Sequence, residues 1–197
     1  MKPDSLILSF DTSDAHCAAA LSSNDTVLDT IYEPMKKGQN ERLIGLLENL
    51  LARQNASWSD LDALAVGVGP GNFTGIRIGI SAARGLSLGL GIPAYGINGF
   101  EQRNNVLQES GLICVPGPRD QLFVELPEGP RLMPLGDAEL LGKPILPDPD
   151  PILLVSAIGH LARAAWPISP APPTPLYIKP ADAAPAREGP PRILDDA

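Results

Sequence analysis

Between Ala65 and Gly91 the chain passes from an apolar run, through Gly69-Pro70-Gly71-Asn72-Phe73-Thr74-Gly75, into a long segment of small residues. That order of strand, glycine turn and helix limits the fold more than any other stretch. A crossover of this kind makes strands parallel and covers a sheet face with helix. The same turn raises a functional question, because N–H groups at a helix start attract phosphate. Two phosphate templates fail here. A P-loop needs Gly-Lys-Ser/Thr where this chain has Phe73-Thr74-Gly75, and in the dinucleotide pattern the last glycine falls on Asn72. Two readings stay open: a purely structural tight turn, or a phosphate-holding loop built from Gly69, Pro70, Gly71, Phe73, Thr74, Gly75 and Arg77.

The flanking sequence supplies the rest of a sheet. Leu6–Phe10 is a short apolar run that ends at Asp11-Thr12-Ser13. Ala15–Leu21 and Thr26–Tyr32 follow, separated by Ser22-Ser23-Asn24-Asp25, a strong turn signal. These predict three strands in a meander. Leu43, Leu46, Leu47, Leu50 and Leu51 then fall at i, i+3, i+4, i+7 and i+8, which predicts a helix over Asn40–Arg53 with Asn40 as its cap. Leu64–Val68 predicts a buried strand, Thr74–Leu90 a helix stopped by Gly91, and Pro93–Ile97 a fifth strand. The first hundred residues therefore read β-β-β-α-β-α-β. This layout suits a ribonuclease-H-like unit, the half-domain of actin-like proteins.

Beyond Gly99 the pattern thins. Gly99–Glu109 reads as a linking helix, Leu112–Val115 and Gln121–Leu126 as a hairpin, and Ile152–Ala165 as a helix. Nine of the 25 residues from Pro167 to Pro191 are proline, so this segment reads as an extended tail, with a short edge strand at Leu176-Tyr177-Ile178. The expected organisation is a first subdomain over 1–100, a smaller second one over 101–166, and a proline-rich tail over 167–197.

The long helix contains Gly75, Gly79, Gly85 and Gly89, and each internal glycine costs about 1 kcal/mol against alanine. Close packing against other helices would offset that cost. The leucine helix carries Ile44 beside its stripe, more apolar surface than one buried face needs. Together these predict a partner interface at Leu43, Ile44, Leu46, Leu47, Leu50, Ile76, Ile80, Ala83 and Arg84.

Bulk properties exclude some functions. A formal net charge of −8 without a basic block argues against direct, tight binding of nucleic acid. Cys17 and Cys114 lack metal or redox spacing and read as free buried thiols of a reducing cytosol. The start has too short an apolar run for a signal peptide, and no stretch approaches a membrane span, so a cytoplasmic protein is expected.

Phe10-Asp11-Thr12-Ser13, Gln39-Asn40-Glu41-Arg42-Leu43, Ser59-Asp60-Leu61-Asp62 and the run from Gly69 to Gly79 resemble the TsaB (YeaZ) family closely over about residues 6–100. Pro175-Leu176-Tyr177-Ile178-Lys179 is similar to that family's terminal Pro-x-Tyr-Leu-Arg. The resemblance implies an actin-like protein of two subdomains, the second reduced. It implies a non-catalytic scaffold of the bacterial machinery that puts threonylcarbamoyl on the adenosine beside the anticodon of tRNAs reading A-starting codons. The implied partners are the catalytic subunit TsaD and the ATPase TsaE, with tRNA met only through the complex and a homodimer when the chain is alone. It implies no cofactor of its own, while a nucleotide at the junction with a partner stays open. By the same analogy, Asp11 is either near a phosphate or Mg²⁺, or a turn cap.

The chemistry-bearing residues agree with an accessory role. The only histidines are His16 and His160, far apart, and the first-helix histidine of the family is Gln39 here, so no metal site is expected. His16 and Cys17 are neighbours on a strand and point to opposite faces, so they form no dyad. The rival readings are an actin-like ATPase or phosphotransferase and an inactive relative of glycoprotease-type peptidases. In the second half, Gly117-Pro118-Arg119 stands where relatives carry an Asp-Ala-Arg-like segment.

Overall fold

A computed structural model describes residues 5–178. Its main sheet has five strands: β1 (Leu6–Asp11), β2 (His16–Ser23), β3 (Thr26–Pro34), β4 (Ala63–Gly67) and β5 (Ala94–Ile97). Their order is β3-β2-β1-β4-β5, with β1, β2 and β3 antiparallel and β4 and β5 added in parallel. The parallel joins are made through α1 (Gln39–Arg53) and α2 (Phe73–Leu90), as the glycine turn requires. This is the ribonuclease-H-like arrangement read from the element order.

Alternation along the strands builds two cores. Leu8, Phe10, Cys17, Ala19, Leu21, Leu64 and Val66 face α1 and α2, and their neighbours Ile7, Ala18, Ala20, Ala63 and Ala65 face the other way. The second face is covered by α5 (Pro151–Ala165) through Val155, Ile158 and Ala162. Small residues on that face let the helix come close: Ser9 Oγ donates to the Val155 carbonyl at 2.8 Å, and Gly159 lies against the Ser9 and Ser22 hydroxyls. Sequence grouping places 151–165 with the second subdomain; in the structure the chain instead returns to the first sheet.

Between them lie α3 (Gly99–Leu107) and a small antiparallel sheet of β6 (Cys114–Pro116), β7 (Gln121–Val124) and β8 (Arg131–Pro134), followed by the short α4 (Leu135–Glu139). The hairpin β6–β7 matches the expectation, while β8 and α4 have no counterpart in it. Residues 167–178 are extended, as the prolines dictate, yet they are packed. Leu176 and Ile178 sit against Phe100, Val115 and Phe123. Leu176-Tyr177-Ile178 is not a strand; one backbone bond, Leu176 N–H to the Val68 carbonyl at 2.8 Å, joins it to the end of β4. The part of the expected tail after residue 178 lies outside the described residues.

Candidate functional site

The glycine turn is closed by its own chain. Asn72 accepts hydrogen bonds from Thr74 N–H and Gly75 N–H through its side chain, both at 3.0 Å, and donates its own N–H to the Ser13 carbonyl at 2.6 Å. Two of the donors that a phosphate would need at the start of α2 are therefore occupied by an N-cap. Gly69 needs its φ of +93°, and a Cβ at Gly75 would strike the Thr12 carbonyl. Thr12 Oγ1 donates to the Gly75 carbonyl at 2.7 Å. Asp11, buried at the end of β1, accepts Ser13 N–H and lies against Gly67, where a Cβ would meet its carboxylate. Of the two readings, this geometry is that of the structural turn. The β1–β2 turn fills the space that the glycines leave.

The cleft between the large and small sheets is bridged at one place and open at another, where a space of about 440 Å³ is lined by Gly71, Asn72 and Phe73 on one side and by Pro116, Gly117 and Phe123 on the other. Arg103, 6 % exposed, donates Nε to Asp148 at 2.8 Å and Nη1 to the Gly99 carbonyl at 3.0 Å. Gly99 N–H donates to the Gly69 carbonyl at 2.8 Å. A cavity of about 40 Å³, lined by Asp11, His16, Gln102, Arg103 and Asp148 among others, is left beside these bonds. His16 and Cys17 do point to opposite faces: His16 lines this cavity, and Cys17 is buried under α1. Burial first, and then the nearby Glu33 carboxylate, push the Cys17 thiol up to about 11, which keeps it protonated and unreactive at neutral pH. Among the described residues no three His, Cys, Asp or Glu side chains gather as a metal-ligand set. No helix there is long and apolar enough to cross a membrane.

The expected interface residues divide sharply. Leu43, Leu46, Leu47, Leu50, Ile76, Ile80 and Ala83 are all in the chain's own core, none more than 4 % exposed. The leucine stripe is the inner face of α1, and it packs on β2 and β3 of the chain's own sheet and beside α2. Of the nine named residues only Ile44, 40 % exposed, and Arg84 reach the surface. Arg84 is committed to its own chain, with Nε donating to the Pro173 carbonyl at 2.8 Å.

An outer face remains nonetheless. A groove of about 450 Å³ runs between the two helices, floored by Leu43 and Ile44 of α1 and by Ile78, Ser81 and Ala82 of α2. Asn40, Phe73, Thr74 and Arg77 close one end of it. Ile44 stands one residue, about 100°, off the buried stripe, and that offset is the sequence signal that marks it as outward-facing. At the closed end, the Arg77 guanidinium lies 3.7 Å over the Phe73 ring, and Phe73 packs on Tyr177 with centroids 5.0 Å apart. Phe73 and Arg77, named for either a structural turn or a phosphate loop, thus belong to the rim of the groove.

The family model described as TsaD, tRNA N6-adenosine threonylcarbamoyltransferase, matches residues 31–110, the segment that contains both helices and the glycine turn. The TsaB protein of Escherichia coli (strain K12), named for tRNA threonylcarbamoyladenosine biosynthesis, is 38% identical over 92 residues, 47% of this chain and 39% of that protein. An uncharacterized protein of Mycobacterium tuberculosis (strain ATCC 25618 / H37Rv) is 30% identical over 163 residues, 74% of this chain and 77% of its own length. The solved structure of YeaZ from Pseudomonas aeruginosa superposes with a TM-score of 0.53 at 28% identity, covering 66% of this chain and 64% of that one. The chain belongs to the TsaB (YeaZ) family. It spans less than half the length of the Escherichia coli TsaB protein. The groove between α1 and α2 lies on the segment that the family model matches.

Proposed function

We propose that this TsaB-family chain is the non-catalytic scaffold subunit of the assembly that adds threonylcarbamoyl to the adenosine beside the anticodon of tRNAs reading A-starting codons. Its α1–α2 groove receives the matching helices of a TsaD-type catalytic subunit. The observation that carries this reading is the placement of the groove on residues 31–110, the segment that resembles the catalytic family itself. Two chains that share a helix pair can join those pairs about a pseudo-twofold axis, each side offering the same shape to the other. A TsaE-type ATPase completes the assembly. The formal charge of −8 leaves the grip on tRNA to the other subunits, with the work done in the cytoplasm. The chain brings no cofactor, and a nucleotide, where one is needed, sits at the junction with the partner.

The test is co-expression with the TsaD-type subunit of the source organism, followed by size-exclusion chromatography and a tRNA-modification assay. Ile44→Glu puts a carboxylate in the groove at a position already open to water, so the fold survives while pairing weakens by about 2 kcal/mol or more. Modified tRNA then falls with the amount of complex. Full pairing and full modification by this variant would move the interface elsewhere.

A further inference from the structure

Residues 167–178 leave the end of α5 and cross the molecule to the rim of the groove, tied at four points. Tyr95 Oη donates to the Ile168 carbonyl at 2.8 Å, Arg84 Nε to the Pro173 carbonyl at 2.8 Å, and Leu176 N–H to the Val68 carbonyl at 2.8 Å. The fourth is a side-chain bond at the end of the crossing, Arg77 Nε to Tyr177 Oη at 2.9 Å. Bonds one to three draw on β5, α2 and the end of β4, so the strap arrives at Arg77 with little freedom. Prolines at 167, 170, 172, 173 and 175 stiffen it further.

The consequence falls on Arg77. Phe73 covers one face of its guanidinium and Tyr177 holds its Nε edge. Among the described residues, its terminal nitrogens have no hydrogen-bond partner, and the side chain is exposed on the rim of the groove. A surface arginine ordinarily loses rotamer freedom when a partner catches it, whereas one already held in place loses little. The two free nitrogens form the fork that carboxylates accept in pairs.

Resting on the proposed docking of a TsaD-type subunit, we infer that Tyr177 is a positioning residue for that docking. It holds Arg77 with its terminal nitrogens presented to a carboxylate on the partner's helix. The strap is thereby part of the interface without needing to touch the partner. The occupant must carry an acidic side chain next to an apolar one, the complement of Arg77 beside Ile44 and Ile78.

The experiment measures affinity of the full chain for the TsaD-type subunit with four variants: Ile44→Glu, Arg77→Ala, Tyr177→Phe and the double Arg77→Ala/Tyr177→Phe. Tyr177→Phe keeps the ring stack and removes only the hydroxyl that accepts from Arg77. It should weaken binding about tenfold with the melting temperature unchanged, and in the Arg77→Ala background it should add nothing further. Wild-type affinity for Tyr177→Phe, with Ile44→Glu and Arg77→Ala both defective, would overturn the role of Tyr177 and leave the docking face standing. A double variant weaker than Arg77→Ala alone would show Tyr177 acting by another route and would also overturn it. Wild-type affinity for Ile44→Glu and Arg77→Ala together would remove the docking face itself. Should these variants dissociate a dimer of the chain alone yet spare the heterodimer, the occupant is a second copy and the inference fails.

Discussion

The two ends of α2 carry glycines in equal number and for different reasons. At the first turns, Gly75 and Gly79 face the β1–β2 turn: a Cβ on Gly75 would strike the Thr12 carbonyl, and one on Gly79 would lie 2.8 Å from Thr12 Oγ1. At the last turns, no atom of the described residues outside the helix's own adjoining backbone comes within 4 Å of where a Cβ on Gly85 or Gly89 would stand. One pair is required by the chain's own packing. The other pair keeps the cost in helix propensity that internal glycines carry, with nothing among the described residues to offset it. A helix can therefore be bound to its own sheet at one end and left bare at the other. The contrast extends across α1, whose leucines are consumed by the core while Ile44 stays outside.

The sharpest way to break this contrast is to place a charge on the inward face. Leu46 is fully buried among Leu8, Phe10 and their neighbours, so Leu46→Glu must bury a carboxylate with no partner. That costs about 4 kcal/mol or more, a large part of the stability of a domain this size. The expected outcome is loss of the folded chain itself, read as loss of a cooperative melting transition. A folded Leu46→Glu chain that only fails to pair would return this residue to the interface.

Next in size is Gly75→Ala. The backbone of the β1–β2 turn, not a flexible side chain, stands in the way, so the helix start must shift and the Thr12 and Asn72 bonds with it. A loss of about 2–3 kcal/mol is expected, measured by urea unfolding. A change below 0.5 kcal/mol would mean that this end of α2 is as open as the other.

These two positions also show what could be read from residues alone. The strand–turn–helix order, the meander and the Gly91 stop were legible because apolar period and turn chemistry change together at each border; Gly91 does cap α2 in the left-handed region at φ +68°. The cap of α1 was displaced by two residues, since Gly38 at φ +93° serves where Asn40 offered a better side chain, and the helix begins one residue earlier, at Gln39. The burial of the leucine stripe was not legible, because periodicity reveals a face and never says which surface meets it. Nor was the return of α5 to the first sheet, which depends on a contact between Ser9 and Val155, 146 residues apart. Strand β8 was hidden by its four-residue length, preceded by Pro130 and ending on Pro134. The role of Tyr177 depended on where a proline-rich strap would run, and a repeating apolar pattern cannot carry that information.

The smallest effect belongs to the bare end of α2. Gly89→Ala places a methyl in open space and removes a residue of poor helix propensity, so the isolated chain should gain up to about 1 kcal/mol and melt at a higher temperature. Gly85→Ala should do the same independently, since among the described residues nothing outside the helix's own adjoining backbone stands near its added methyl either. The informative measurement is the comparison of this gain with affinity for the TsaD-type subunit. If the partner's helices close over these turns, each methyl that stabilises the free chain will oppose docking. Stability would then rise while affinity falls. If both rise or affinity holds, contact stops at the groove by Ile78 and Ala82, and the last turns of α2 are bare in the assembly as well.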